Sequence, residues 1–408
     1  MSARTRRERG HVPRVRVPIL KRRRLVISGA SLLFLALLWF AIPVVRFNDP
    51  VSPVLFGAGG ELLGARPASD GQGRFPAGDT VPERFYRVLV RFEDKRFFVH
   101  PGVDPLALAR AVRRNVRARK IESGASTITM QVVRLARKNR PRTYVEKITE
   151  AVLALRLETR RSKREILALF AAHAPFGGNV VGIDAASWLY FGRSPERLSW
   201  AEAAFLAVLP NDPGLLASAE GRGWLLAKRD GLLRRLRAKG SLPDLECRLA
   251  LAETMPERVR SVPREAPHLL DTLAAGPGAA PPFRSFVDAG LQRSVRRAVE
   301  QHGARLRERD IRNLAAVVID NCEAAVVAYV GNVGLERRKE EGQSVDILRS
   351  RRSTGSILKP CLYASMLKEG GLTPVTLVAD TPVRYEGFKP ENFDRRFRGA
   401  VPARAALA

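Results

Sequence analysis

The run from Leu25 to Val45 contains no charged residue and directly follows Arg4, Arg6, Arg7, Arg9, Arg14, Arg16, Lys21, Arg22, Arg23 and Arg24. No other feature constrains the fold as much. An apolar stretch of this length, wound as a helix, crosses about 30 Å of hydrocarbon. Basic residues stay on the cytoplasmic side, so everything after Arg46 is expected outside the cytoplasm. A cleaved signal peptide is the competing reading, but the run exceeds the usual apolar core of such peptides and shows no small-x-small site before Pro43. We therefore expect a basic cytoplasmic tail over 1–24 and one transmembrane helix over 25–45.

The formal charge of +29, with a pI near 11.2, calls for a polyanionic neighbour. Nucleic acid and anionic membrane both qualify. The apolar run selects the membrane, and no stretch interleaves aromatic and basic residues as a nucleic-acid module does. At 408 residues and 45% hydrophobic composition the chain exceeds one ordinary core, so two or three domains are expected. Cys247, Cys322 and Cys361 have no paired spacing. They suggest neither a zinc site nor a disulfide framework, and burial as small apolar residues is expected of each.

Along the chain, residues 46–80 hold Val54-Leu55-Phe56 and Glu61-Leu62-Leu63-Gly64 around a Gly-Ala-Gly-Gly turn, a short hairpin. Residues 81–252 read as a helical domain, with strong runs at 143–158, 163–172 and 201–209. Residues 253–282 are rich in proline and read as a connection. A helix over 291–307 and a hairpin from Leu314 to Val330 follow, opening a further domain over 283–408.

Within the helical part, Phe92-Glu93-Asp94-Lys95-Arg96-Phe97-Phe98-Val99-His100-Pro101-Gly102-Val103-Asp104 gathers acids, bases, aromatics and a breaker. A helix ending at Pro101 would set Glu93, Phe97 and His100 on one face, a carboxylate over an aromatic floor. Ser126, Thr127 and Gln131 bring hydroxyl and amide groups after Gly124. Lys147 and Glu150 stand three apart, on one helical face. Asn179 lies in the turn of Ala174-Pro175-Phe176-Gly177-Gly178-Asn179.

Those blocks, with Glu146 to Ala151, Ser162 to Leu167 and Tyr190-Phe191-Gly192, resemble in this order the peptidoglycan glycosyltransferase domain of class A penicillin-binding proteins, glycosyltransferase family 51. Met130 before Gln131 and the Ala-Pro-Phe-Gly-Gly-Asn segment resemble the 1C type of that family in particular. The resemblance implies a mainly α, lysozyme-like domain that polymerises lipid II into glycan strands and releases a lipid pyrophosphate. Glu93 matches the base that activates the acceptor 4-hydroxyl, and Glu150 the second catalytic carboxylate. Asp94, His100, Ser126, Thr127, Gln131, Arg142, Lys147 and Asn179 match the substrate side, although His100 also suits a simple hydrogen-bonding role at a helix end. Phe97 is expected either to limit water around Glu93 or simply to pack. The family's usual arginine before the lysine is Glu146 here, and its usual second glycine is Ala125. No cofactor is required and no metal-ligand set is visible, though the resemblance allows a divalent cation such as Mg or Mn.

The segment Ser353-Thr354-Gly355-Ser356-Ile357-Leu358-Lys359-Pro360 resembles the Ser-x-x-Lys acylation motif of penicillin-binding transpeptidases, with Ser356 as nucleophile and Lys359 assisting. Ser-x-Asn and Lys-Thr-Gly motifs do not follow, so an incomplete α/β domain of serine β-lactamase type is expected over 283–408. Arg110, Arg113, Arg114, Arg117, Arg119 and Lys120, mixed with Leu106, Leu108, Val112 and Val116, suit a membrane interface. The expected whole is a single-pass inner-membrane enzyme of cell-wall biogenesis. Its partners are lipid II, the growing glycan, the membrane and other cell-wall synthesis proteins. A catalytically silent cell-wall scaffold is the alternative, against which the presence of both Glu93 and Glu150 speaks. A phosphatase that works only outside the cytoplasm, fused after residue 250, is expected to be active; a silent fusion there would reverse the orientation.

Overall fold

The computed structural model describes residues 37–78, 80–118, 126–141, 143–333, 342–351, 353–392 and 394–407. The basic tail, most of the expected membrane helix, Arg119, Lys120, Gly124, Ala125 and Arg142 lie outside the described residues. Among the described residues no helix is long and apolar enough to cross a membrane. The chain divides into two compact units between Val345 and Asp346.

In the first unit, helix α1 is described over 37–41. The hairpin expected after it forms from β1 (Val54–Phe56) and β2 (Leu62–Ala65), paired antiparallel with Val54 opposite Ala65. A strand not foreseen, β5 (Phe283–Arg284), adds to β1 in parallel. Short strands β3 (Gly73–Arg74) and β4 (Val180–Val181) also pair in parallel.

The helices follow: α2 (Glu83–Glu93), α3 (Pro105–Ala118), α4 (Ile128–Ala136), α5 (Tyr144–Glu158), α6 (Lys163–His173) and the short α7 (Ile183–Ala186). A π-helical turn over Ser187–Phe191 continues α7. Then come α8 (Trp200–Val208), α9 (Ala219–Ala238) and α10 (Asp244–Ala252). Their starts are chemically marked. Ser162 with Glu165, and Ser199 with Glu202, form capping boxes that satisfy backbone N–H groups at the starts of α6 and α8. Helix α8 is the centre of this core: every residue from Ala201 to Val208 is buried. Alanine at four of those positions lets neighbouring helices approach, and α2 packs there through Phe85, Val88 and Leu89.

The proline-rich connection holds a helix of its own, α11 (Pro267–Ala274). Leu270 and Ala266 pack with Leu55, Leu63, Val287 and Ala289 in a second small core. Helix α12 (Ala289–Arg307) and the antiparallel pair β6 (Ala316–Asp320) and β7 (Ala325–Val330) stand where the periodicity puts them. Buried Gln292 joins them: its amide N–H groups go to the carbonyls of Glu265 and Tyr329, while its carbonyl accepts from Tyr329 N–H. The second unit contains a 3-10 turn (Gly355–Leu358), α13 (Lys359–Lys368), α14 (Ala403–Leu407) and the antiparallel strands β8 (Leu377–Asp380) and β9 (Gly399–Pro402).

Two expectations fail. Helix α2 stops at Glu93 instead of running to Pro101. Only Cys247 is buried; Cys322 and Cys361 are exposed, and all three are free.

One contact ties the first described residues to the helical core. Arg156 on α5, 3% exposed, donates to the carbonyls of Phe40 (3.2 Å) and Ile42 (3.0 Å) at the end of α1. Its guanidinium also lies over the Phe40 ring.

Gly102 has φ of +105°, and a Cβ there would lie 2.9 Å from the carbonyl oxygen of Ala154 on α5. Gly178 also has positive φ, but its added Cβ would meet nothing within 4 Å. Both changes to alanine carry backbone strain of about 1–2 kcal/mol. Only Gly102→Ala adds a clash with backbone, so it should lower the thermal unfolding midpoint of the solubilised chain more than Gly178→Ala. Equal losses would mean that the loop is not held tightly against α5.

Candidate active site

Glu93 is the last residue of α2, and what ends the helix also builds the site. Asp94 leaves the helical conformation, with φ of −152° and ψ of 80°, and turns its carboxylate inward, where the residue is 6% exposed. There it accepts from His100 Nε2 at 2.9 and 3.0 Å and from the backbone N–H of Ile128 at 3.1 Å. The Gly102 N–H points at His100 Nδ1 (3.1 Å), so Nδ1 is the acceptor and Nε2 carries the proton given to Asp94. Thr127 caps α4 by accepting from Met130 N–H, and its own hydroxyl donates to the Gly102 carbonyl at 2.5 Å. Residues 94–104 are thus stapled to the start of α4. Asp104 closes the loop by capping α3 through Leu106 and Ala107 N–H.

A second layer holds the loop from behind. Lys163 donates to the His100 carbonyl (2.7 Å) and to Glu158 (2.6 Å), which also accepts from the Thr129 hydroxyl (2.6 Å). The Lys163 ammonium lies 4.4 Å from the centre of the Phe97 ring. Phe97 is fully buried, packed edge-on to Phe98 and His100.

This arrangement leaves the Glu93 carboxylate at the mouth of the helical core. Gln131, one turn into α4, donates its amide N–H to Glu93 Oε2 at 2.8 Å. Asn211, in the 3-10 turn after α8, also hydrogen-bonds Glu93, and Lys228 on α9 lies within electrostatic reach. Burial pushes the Glu93 carboxyl above the ordinary range, and the neighbouring Asp94 charge pushes the same way. The bonds from Gln131 and Asn211 and the Lys228 charge oppose that shift. Lys228 in turn is held below the ordinary lysine range by burial, and its ammonium sits 3.5 Å from the Trp224 ring centre.

The remaining residues fall as follows. Ser126 is exposed beside the α4 cap. Lys147 and Glu150 lie three apart on α5 as expected; Lys147 is exposed and Glu150 is 9% exposed. Glu146 is paired in two-pronged fashion with Arg137 at the end of α4 (2.5 and 2.9 Å), and Arg137 also feels the Glu150 charge. Asn179 is exposed and donates to the Gly71 carbonyl at 3.2 Å, tying its turn to the loop around Gly71. Asp94, His100 and Thr127, expected on the substrate side, are instead buried and engaged with the protein. Ser356 and Lys359 belong to the second unit. They sit in the 3-10 turn and at the first position of α13, not within one α-helix, and both are exposed. Among the described residues no three His, Cys, Asp or Glu side chains converge on a metal position.

Asn211, Trp224 and Lys228 were missed in the sequence. A signal existed: Pro210-Asn211-Asp212-Pro213 is a polar turn closing a fully buried helix, and Trp224 and Lys228 are one helical turn apart.

The Transglycosylase family profile matches residues 60–237. Penicillin-binding protein 1C of Escherichia coli (strain K12) is 38% identical over 343 residues, 83% of this chain and 44% of its own length. Penicillin-binding protein 1A of Aquifex aeolicus (strain VF5) is 34% identical over 219 residues, 51% of this chain and 30% of its own. The crystal structure of penicillin-binding protein 1A from Haemophilus influenzae aligns with 89% of this chain and 60% of that chain at 18% identity, with a TM-score of 0.34. The chain spans less than half the length of the two curated relatives, 44% and 30%.

The bond from Gln131 favours the charged form of Glu93, so its loss must raise the carboxyl further. Infrared titration of the solubilised chain, differenced against Glu93→Gln, should place Glu93 above an ordinary glutamate, and Gln131→Ala should move it higher still. An unmoved midpoint in Gln131→Ala would deny that this bond sets the charge.

Proposed function

The chain carries the transglycosylase domain of the glycosyltransferase family that class A penicillin-binding proteins share, and on that premise we propose that it polymerises lipid-linked disaccharides into a β-1,4-linked peptidoglycan strand. The observation that carries this reading is the half-buried Glu93 carboxylate, bonded to Gln131 and Asn211 and with its proton affinity raised by burial. A carboxylate so placed is a better base than one in water, while the two amides keep enough of it ionised to act.

In the proposed reaction Glu93 takes the proton from the acceptor's 4-hydroxyl. That oxygen bonds to the donor's anomeric carbon as the bond from this carbon to the pyrophosphate oxygen breaks. The departing pyrophosphate carries the negative charge, and exposed Lys147 on α5 is the cation assigned to it. Glu150, buried nearby along the same helix, is the second carboxylate of the site. Asp94, His100 and Thr127 act through Glu93 and α4: they fix where the base stands relative to Gln131 and are positioning residues.

The substrate's lipid requires a membrane beside the site, and exposed apolar side chains support one. Leu106, Leu108 and Val116 on α3, and Tyr144, Val145 and Ile148 on α5, are all exposed on helices that also carry arginine or lysine. Such a surface suits an interface of acyl chains and anionic headgroups. With the basic and apolar amino-terminal segments, we infer an enzyme anchored in the inner membrane with its catalytic domain outside the cytoplasm. For the second unit we propose only the amino-terminal part of a transpeptidase domain, with Ser356 and Lys359 as its nucleophile and assisting base.

Polymerisation of labelled lipid II by the full detergent-solubilised chain tests the reading. Glu93→Gln keeps shape and hydrogen bonding but cannot accept a proton, so the rate should fall about a hundredfold to ten-thousandfold with unchanged unfolding behaviour. Lys147→Ala and Glu150→Gln should each cut turnover severely, whereas an ordinary surface charge pair would leave it unchanged. A Glu93→Gln chain that polymerises at the wild-type rate would remove Glu93 as the base, and a wild-type chain that polymerises nothing would leave the silent scaffold.

A further inference from the structure

One cleft of the first unit, about 1630 Å³, is lined by no residue of the candidate active site. It lies between the β1–β2 hairpin, the π-helical turn and the connection that leads into β5. Single small molecules occupy pockets of roughly 300–1,000 Å³, so this one is sized for an extended ligand.

Its walls combine two chemistries. One is aromatic: Phe56 and Trp188 line it as a tilted pair with ring centres 5.7 Å apart. Trp188 is presented by the π-helical turn Ser187–Phe191, a rare conformation found mostly at functional positions. The other is cationic, for Arg193, Arg197, Arg258, Arg260 and Arg284 all line the cleft and are exposed. Arg193 stands 3.7 Å from Glu202, which Arg260 also faces. Arg197, Arg258 and Arg284 have no ion-pair partner among the described residues. The cleft's own acids are Glu61, Asp184 and Glu196. Burial pushes the Asp184 carboxyl up to about 6, and it accepts from Gly78 N–H.

The backbone is shaped around these cations. Gly192 follows the π turn with φ of +69°, and a Cβ there would come 2.6 Å from the Arg260 guanidinium. Arg260 is itself tied down by its backbone N–H to the Leu189 carbonyl (2.8 Å). Glycine at 192 therefore leaves room for a guanidinium at the floor of the cleft.

We propose that this cleft binds an acidic glycan, with sugar rings lying against Trp188 and Phe56 and carboxylates taken by Arg197, Arg258 and Arg284. An aromatic body meets the apolar face of a sugar, and a planar guanidinium matches a carboxylate two-pronged. The inference rests on the glycan-polymerising reading above, which supplies such a polymer in the carboxylate-bearing peptide stems of its own product. The cleft is thus a holding site for the strand already made, apart from the carboxylate that makes it.

The test uses labelled, uncrosslinked glycan strands carrying stem peptides, the same strands with their carboxylates amidated, and the full solubilised chain. Wild type should bind the acidic strand about tenfold or more tightly than the amidated one. The triple variant Arg197→Gln, Arg258→Gln, Arg284→Gln should lose that preference while its initial rate on lipid II stays within about twofold, since none of the three touches the site around Glu93. A control of equal net charge, Arg293→Gln, Arg297→Gln, Arg305→Gln on exposed positions of α12, should keep the preference. The proposal is overturned if the cleft variant binds the acidic strand like wild type, if the control loses as much, or if dextran sulfate competes as well as the strand. Failure of the wild type to polymerise lipid II would instead sink the catalytic reading, because strand binding is measured without turnover.

Discussion

One carboxylate, that of Asp94, holds the candidate site in register. It is buried, and its three hydrogen-bond contacts reach two otherwise separate parts of the chain: a ring in its own loop and the first N–H of α4. Bonds to a charged acceptor contribute about 1.5–3 kcal/mol each, and a buried donor left without its acceptor costs a similar amount. Removing Asp94 would therefore do more than loosen a loop. It would free the start of α4, and with it Gln131, whose amide favours the ionised form of Glu93. Glu93 is adjacent in sequence but opposite in role, one carboxylate spent inward on structure and the next left facing the mouth of the core.

How far this could be read from the amino acids depends on which residues are considered. Glu93 and Gln131 were both visible, as members of separate blocks, although nothing in the sequence says that they touch. The helix through Phe97 and His100 was an error with a clear physical source. Their spacing fits a helical face, but an aspartate whose side chain can bind backbone and imidazole groups competes with helix continuation, and here it wins. His100 was correctly allowed a hydrogen-bonding role, and the structure supplies the partner. Asn211 and Lys228 were not seen because they reach Glu93 only through the packing of α2 and α9 beside α8, and the polar turn at Asn211 and the Trp224–Lys228 spacing do not by themselves say what they face. The helices α5, α6 and α8, by contrast, were readable from their apolar periodicity, and the structure adds a side-chain cap at the start of each.

The replacement of a family arginine by Glu146 also has a physical resolution. Glu146 draws Arg137 from the end of α4 into a two-pronged pair, and that guanidinium lies close enough to Glu150 for the two charges to interact. A cation is present beside Glu150 after all, but it is borne by the neighbouring helix and partly neutralised by its partner. Among the described residues of that helical turn Lys147 is the cation that makes no ion pair.

The grip of Arg156 on α1 has a mechanical meaning. A guanidinium buried to this depth, with backbone carbonyls among its few acceptors, cannot release Phe40 and Ile42 without stranding a charge in the protein interior. The end of α1 is therefore anchored to the carboxyl-terminal half of α5, the helix whose first turns carry Lys147 and Glu150.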